Sequence, residues 1–315
     1  MPSNQTPLGA LPSRFRRPRV LIVGCGDIGL RTASQLGAPD SRRVRLLALT
    51  SSPGRERLLR ACGLTPLAGN LDEPRSLARL SGLATHVLHL APPATESRSQ
   101  VQDDLRTRAL VRSLRRRSTP RALVYGSTTG VYGDCQGQRV DETRPLTPHT
   151  ARAQRRVSAE SSVRFFGRSS GTRTSILRIP GIYALDREGG TPRERLVKGT
   201  PVLRTQDDVY TNHIQADDLA RACLRALWMG RPQRALNICD DSELKMGDYF
   251  DLAADVMGLP RPPRIARSAA RETLPLMLLS FMNESRRLEN YRMKTELRLR
   301  LKYPHVRDGL KNPGP

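Results

Sequence analysis

Lysine is scarce in this 315-residue chain: only five of its 53 basic residues are Lys, at positions 198, 245, 294, 302 and 311. The remaining basic residues are arginine, and with 30 acids they leave a net charge of +23. Such a charge favours anionic ligands. The arginines are scattered over helices, strand flanks and both ends, with no zinc-finger spacing and no basic helix running into heptads. No specific nucleic-acid contact is therefore expected. Cysteine is also sparse and odd in number, at Cys25, Cys62, Cys135, Cys223 and Cys239. Unpaired thiols fit a reducing compartment, and the missing close pairs exclude a cysteine metal site. The five histidines, His86, His89, His149, His213 and His305, show no H-E-x-x-H spacing, so no metal is expected. There is no G-x-S-x-G nucleophile motif. No apolar run reaches membrane-spanning length, and none near the start resembles a signal peptide. The expected setting is the cytoplasm, away from membranes.

The segments that are present alternate. "RVLIVG" (19–24), "RVRLLALT" (43–50), "THVLHLAP" (85–92), "RALVYGST" (121–128) and "TSILRI" (174–179) read as buried strands, with a further strand expected before "GNLDEP" (69–74). Helices are expected at 27–36, 54–63, 99–117, 151–166, 217–229 and 246–257, with a turn at Pro39 and Asp40. Strands separated by helices specify an α/β fold, a parallel sheet covered on both faces. The expected organisation is a loose leader over 1–18, a Rossmann-type domain over 19–183, and a smaller C-terminal lobe over 184–315. Segments 204–240 of that lobe return to the sheet. Ligands of such sheets bind beyond the carboxyl ends of the strands, which directs attention to the residues just after each one.

"VGCGDIG" places Gly24, Gly26 and Gly29 in the spacing G-x-G-x-x-G, after a strand and before a helix. The first glycine permits the tight turn, the second lets a pyrophosphate approach the backbone, and the third lets helix and strand pack. The helix start, with Asp27 and Ile28, supplies unpaired N–H groups to the phosphates. An NAD site usually ends its second strand on an acid. Here Thr50, Ser51 and Ser52 stand in that place, followed by Arg55 and Arg57. Hydroxyls beside a guanidinium suit a 2′-phosphate, so NADP is favoured over NAD. Asn70 and Leu71 are expected at the adenine, and Leu90, Ala91 and Pro92 along the pyrophosphate and ribose. His89 reads as a packed histidine.

The pieces "VLIVGCGDIGLR", "STTGVYGD", "VDETRPLTP", "LRIPGIYALDR", "TNHIQADDLARA" and "SRRLENYRMKTELRLRLKYPHVRDGL" resemble the extended and atypical short-chain dehydrogenases/reductases, the NAD-dependent epimerase/dehydratase group. Together they span about residues 19 to 310, and the G-C-G-D-I-G form resembles an atypical subgroup. The resemblance implies an NAD(P)-dependent oxidoreductase or epimerase acting on a hydroxyl or keto compound, such as a nucleotide sugar, with a homodimer as the expected assembly. It implies Thr128 as the hydroxyl that orients the reacting oxygen, Ser127 and Pro180 as cofactor contacts, and Thr129, Arg152, Tyr183 and His213 as substrate contacts. Family members also carry a Tyr-x-x-x-Lys pair that transfers the proton. Counted back from Glu160, those places hold Arg152 and Arg156, and no tyrosine lies between Tyr132 and Tyr183. An arginine keeps its proton. The proton then comes from Tyr132, Tyr183 or a bound water, or the domain binds NADP(H) without turnover, as a sensor or scaffold.

Overall fold

The computed structural model describes residues 17–36, 44–94 and 103–311. The leader up to residue 16 and the turn at Pro39 and Asp40 lie outside them. The alternation read from sequence is present. Strand β1 (Arg19–Val23) leads into α1 (Asp27–Leu36), β2 (Arg45–Thr50) into α2 (Glu56–Ala61), and β3 (Thr65–Ala68) into β4 (His86–His89). Helix α3 (Leu105–Leu114) then precedes β5 (Ala122–Thr128), and α4 (Ala151–Ser170) precedes β6 (Arg173–Ile179). Helix α5 (Ala216–Met229), β7 (Arg234–Asn237) and α6 (Met246–Met257) follow. The expected helix at 99–117 is shorter at both ends: Asp104 caps it by accepting from the Arg106 N–H, and residues 99–102 are outside the described part.

The seven strands form one parallel sheet in the order β7-β6-β5-β4-β1-β2-β3. Burial on both faces explains why these strands read as continuous apolar runs. Side chains alternate across the sheet. Val20 and Ile22 of β1 join Leu88, Val124 and Leu177 against α1 and α5. Leu21 and Val23 join Val87, Leu123 and Tyr125 against α3 and α4. A third apolar cluster, with Val202, Leu203, Phe250, Ala253 and Leu310, forms the C-terminal lobe.

Of two late segments, one joins the sheet and the other forms a small two-stranded sheet just beyond it. Strand β7 pairs with β6 from Arg234↔Ser175 to Asn237↔Arg178. His213–Gln215 pairs in parallel with Gly181–Tyr183, the short strand beyond Pro180. Gln215 then starts α5, its side-chain oxygen accepting from the Asp217 and Asp218 N–H groups. Every strand of the sheet therefore points its carboxyl end at one rim, and the lobe stands beside that rim.

Candidate functional site

The rim is built around the turn after β1. Gly24 has φ +81°, and a Cβ there would stand 2.3 Å from the Ala91 nitrogen. Only glycine lets the end of β4 lie this close: the Leu90 and Ala91 N–H groups both donate to the Val23 carbonyl, at 2.8 and 3.1 Å. A Cβ on Gly29 would crowd Ile22 and Cys25, at 3.2 and 3.3 Å. Gly26 differs, since a Cβ there would meet nothing within 4 Å. Protein neighbours thus require glycine at position 24 and crowd position 29, and the middle glycine faces open space at the start of α1. That is the shape a diphosphate needs, with backbone N–H groups turned toward it.

Arg55 reaches this turn from the end of β2: its Nη2 donates to the Cys25 carbonyl at 2.8 Å. Arg57 is exposed on the following helix, so only one of the two expected arginines reaches the turn. Thr50 closes a local turn, its Oγ1 accepting from the Ser52 N–H at 3.2 Å. Thr50, Ser51 and Asn70 line a cavity of about 360 Å³ between the ends of β2 and β3. Asn70 holds the shape of the loop, its Oδ1 accepting from the Asp72 N–H, and Leu71 packs on the core behind. Asp72 takes a forked pair from Arg106, at 2.7 and 2.6 Å, and Arg106 also donates to the Pro92 carbonyl at 3.2 Å. Arg106 thereby ties the β3 loop to the β4 loop.

At the end of β5 successive side chains part company. Thr128 is partly exposed at the rim; its Oγ1 accepts from the Gly130 N–H at 3.4 Å, and its own hydrogen has no acceptor among the described residues. Ser127 points the other way, into the protein, where it donates to Glu160 at 2.7 Å. This corrects the expectation of a cofactor contact: the strand pleat turns Ser127 under the rim. Glu160 also receives Arg178, Nη2 to Oε2 at 2.9 Å, with both side chains only 2% exposed. Tyr132 belongs to the same buried network. Its hydroxyl donates to Asn237 at 2.7 Å and accepts from Arg178 at 2.9 Å. Burial, partly offset by Arg178, pushes its pKa up to about 12. Tyr132 is therefore a strut joining β5, β6 and β7, and not the proton donor.

Two further expectations are corrected in the lobe. Tyr183 is 1% exposed and sits against Gly309; burial, with Asp240 nearby, holds its hydroxyl far above the ordinary tyrosine range. It has no face toward a substrate. His213 stacks on Tyr249 with ring centroids 4.2 Å apart, and burial lowers its pKa to about 4. A neutral, enclosed imidazole holds the fold and offers no charge to a phosphate. His89 is packed as expected, its Nε2 2.9 Å from the Thr107 hydroxyl. Pro180 stands at the exit of β6, partly exposed.

The two arginines in the tyrosine and lysine places behave differently. Arg152 is exposed on the first turn of α4. Arg156 is buried and turned into the sheet, donating to the Gly126 carbonyl at 2.7 Å and the Tyr125 hydroxyl at 3.1 Å. Sequence reasoning missed Arg286, which reaches in from the lobe. Its Nη1 donates to the Gly133 carbonyl and to Glu284, both at 2.7 Å, and its Nη2 lies 3.5 Å from the buried Thr129 hydroxyl. It also missed Arg187, which pairs with Asp27 across 160 residues. Both lie in the quoted pieces "LRIPGIYALDR" and "SRRLENY", where nothing in the spacing set these arginines apart from their neighbours. Among the described residues no group of three or more metal-ligating side chains occurs, and no helix is long and apolar enough to cross a membrane.

A parallel sheet in Rossmann order, with this glycine turn at its central strand, defines the chain as a dinucleotide-binding-type α/β protein. It belongs to the NAD dependent epimerase/dehydratase family, whose model matches residues 20–239. A conserved protein of unknown function from Silicibacter pomeroyi is 30% identical, covers 93% of this chain and 97% of its own, and superposes with a TM-score of 0.76. UDP-glucose 4-epimerase from Thermotoga maritima, solved with UDP-glucose, is similar at 19% identity, with 93% and 96% of the two chains covered and a TM-score of 0.74. The dTDP-glucose 4,6-dehydratase of Streptomyces venezuelae, solved with NAD, is similar at 21% identity, with 94% and 95% covered and a TM-score of 0.73. No curated protein matches the chain.

Proposed function

We propose that this chain is an NADP-preferring oxidoreductase or epimerase acting on a hydroxyl or keto group of a small molecule, with a nucleotide sugar as the substrate class. The observation that carries the reading is the glycine turn, open at Gly26 and closed by protein at Gly24 and Gly29. The UDP-glucose bound by the similar Thermotoga epimerase, and the dTDP-glucose in the name of the similar Streptomyces dehydratase, support the substrate class.

In this reading the Asp27 and Ile28 amides hold the diphosphate over the open face of Gly26, whose own N–H closes the turn onto the Gly24 carbonyl at 2.8 Å. Thr50, Ser51 and Arg55 take the phosphorylated ribose, and Asn70 and Leu71 border the adenine. Leu90, Ala91 and Pro92 flank the chain of the cofactor, and Pro180 meets its carboxamide. The cofactor, when bound, supplies or accepts a hydride. Thr128 orients the reacting oxygen and Arg152 borders the substrate, while Thr129, expected there as well, is buried beside Arg286. With Tyr132 and Tyr183 enclosed, the matching proton passes through a water beside Thr128.

A second reading, binding without turnover as a sensor or scaffold, is favoured by one observation: Arg156 hydrogen-bonds into the sheet and not along the cleft. Titration with NADPH and NADH, followed by incubation with aldehydes, ketones and nucleotide sugars, separates the two. Saturable NADPH binding is expected, with either oxidation by an aldehyde or ketone or, in the presence of NADP⁺, conversion of a nucleotide sugar followed by product chromatography. Saturable binding with neither NADPH oxidation nor sugar conversion across the panel would transfer the case to the sensor.

A further inference from the structure

The start of α1 carries an ion-pair cluster that the glycine motif does not require. Asp27 stands one residue after Gly26, in the first turn of the helix. Its Oδ1 receives Arg31 at 2.8 Å, and its Oδ2 receives Arg187 at 2.5 Å. Arg31 has two further carboxylate partners, Asp186 and Asp217, both at 2.7 Å. Arg31 thus engages three carboxylates, one at each nitrogen, whereas Arg187 has one side-chain acceptor among the described residues, Asp27. Through Asp27 the Arg187 guanidinium is held beside the start of α1, with its side chain 29% exposed.

Arg187 is held there by a tight loop. The Arg187 N–H donates to the Ala184 carbonyl at 3.4 Å, the Gly190 N–H to the Arg187 carbonyl at 2.9 Å, and the Ala184 N–H back to the Gly190 carbonyl at 3.2 Å. A Cβ on Gly190 would stand 2.4 Å from the Ala184 carbonyl oxygen, so only glycine lets the loop close. Ala184 anchors it, 1% exposed. The loop is therefore a built strap that presents one guanidinium to the start of α1.

An aspartate at this place opposes an incoming anion. Three carboxylates, Asp27, Asp186 and Asp217, face two guanidiniums, and a diphosphate would add negative charge beside them. A guanidinium shared between Asp27 and the phosphate resolves the conflict, because its planar fork can serve two oxyanions at once. We propose that Arg187 is a cofactor-binding residue, the cation that strap 184–190 lays on the diphosphate, with Asp27 as its resting partner. The proposal rests on the dinucleotide reading given above.

The test is calorimetric titration of the full chain and three variants with NADP⁺, together with NMR titration by ADP and by 2′-AMP. ADP carries a diphosphate and 2′-AMP does not. Arg187→Ala weakens NADP⁺ and ADP by about ten- to hundredfold, the range for one charge-assisted contact, and leaves 2′-AMP within about a factor of two. Arg187→Lys, which keeps the charge without the fork, recovers part of the loss. Asp27→Asn frees the arginine and tightens NADP⁺. Circular dichroism of each variant reports folding, and Arg187→Gln replaces the alanine variant should that one unfold. Equal NADP⁺ and ADP affinity in wild type and a folded Arg187 variant overturns the role of Arg187 and leaves the dinucleotide reading standing. A wild-type chain that binds neither NADP nor NAD removes the reading and the strap together.

Discussion

Replacing Gly24 and Gly26 by alanine, one at a time, separates the two duties of the glycine turn. At Gly24 the new methyl group meets the Ala91 backbone at 2.3 Å, and the backbone has φ +81°. A left-handed conformation costs a residue with a Cβ about 1–2 kcal/mol. Forcing an extra carbon into packed backbone costs about 1–3 kcal/mol more. Gly24→Ala should therefore lose about 2–5 kcal/mol, a fall in Tm of about 4–10 °C at about 2 °C per kcal/mol. At Gly26 a Cβ meets nothing within 4 Å, so Gly26→Ala should keep the fold to within about 1 kcal/mol, with a gain of up to that size from the stiffer unfolded chain. Its methyl group instead fills the space assigned to phosphate and displaces one or two charge-assisted contacts. NADPH affinity should fall about 10- to 100-fold or more. Thermal unfolding and NADPH fluorescence titration on the same samples read both effects. A Gly26→Ala protein that melts like wild type and binds NADPH equally well would refute the assignment of the turn.

Three further predictions follow from particular residues. Arg55→Ala should weaken NADPH about tenfold or more while changing NADH less than about twofold, since the lost contact is to the 2′-phosphate; equal losses in titration would remove the NADP preference. Tyr132→Phe should lower stability by about 1–3 kcal/mol, because Asn237 and Arg178 each lose a buried partner, and should leave NADPH affinity unchanged; a loss of cofactor binding without a change in Tm would restore Tyr132 to the site. Stability should also depend on pH in two windows. Burial lowers His86 and His213 to about 4 and His89 to about 3. These rings charge first in the unfolded chain, so stability falls as pH drops through about 6.5. Burial raises the Asp240 carboxyl to about 8. The folded state then holds a proton that the unfolded state has released, and the contribution of Asp240 falls as pH rises from about 4 to 8, by up to about 1.4 kcal/mol per pH unit, a slope that stands clear of the histidines above about 6.5. Unfolding midpoints across this range should show both slopes, and Asp240→Asn should abolish the second.

The fold was legible because a parallel sheet buries both faces, so strands such as 19–23 and 122–128 appear as unbroken apolar runs between helices. The glycine turn was legible because its three demands fall on three fixed positions. The polar residues were harder to read. Ser127 and Thr128 are neighbours in sequence and point to opposite sides of one strand, so no motif could say which faces the rim. Tyr132, Tyr183 and His213 lie in segments that run to the rim, yet each turns inward to a partner far away in sequence: Asn237, Gly309 and Tyr249. Arg187 was hidden for the same reason. Its meaning comes from Asp27, and only the return of the chain past β6 brings the two together.

The central claim is that a dinucleotide lies along the carboxyl rim with its diphosphate on the start of α1. A crystal structure of the chain grown with saturating NADP⁺ tests it most directly. The account predicts diphosphate density against Gly26 and within hydrogen-bonding distance of the Asp27 and Ile28 amides, and a ribose phosphate beside Arg55. A vacant rim in such crystals, or nucleotide bound only elsewhere on this arginine-rich surface, would contradict it.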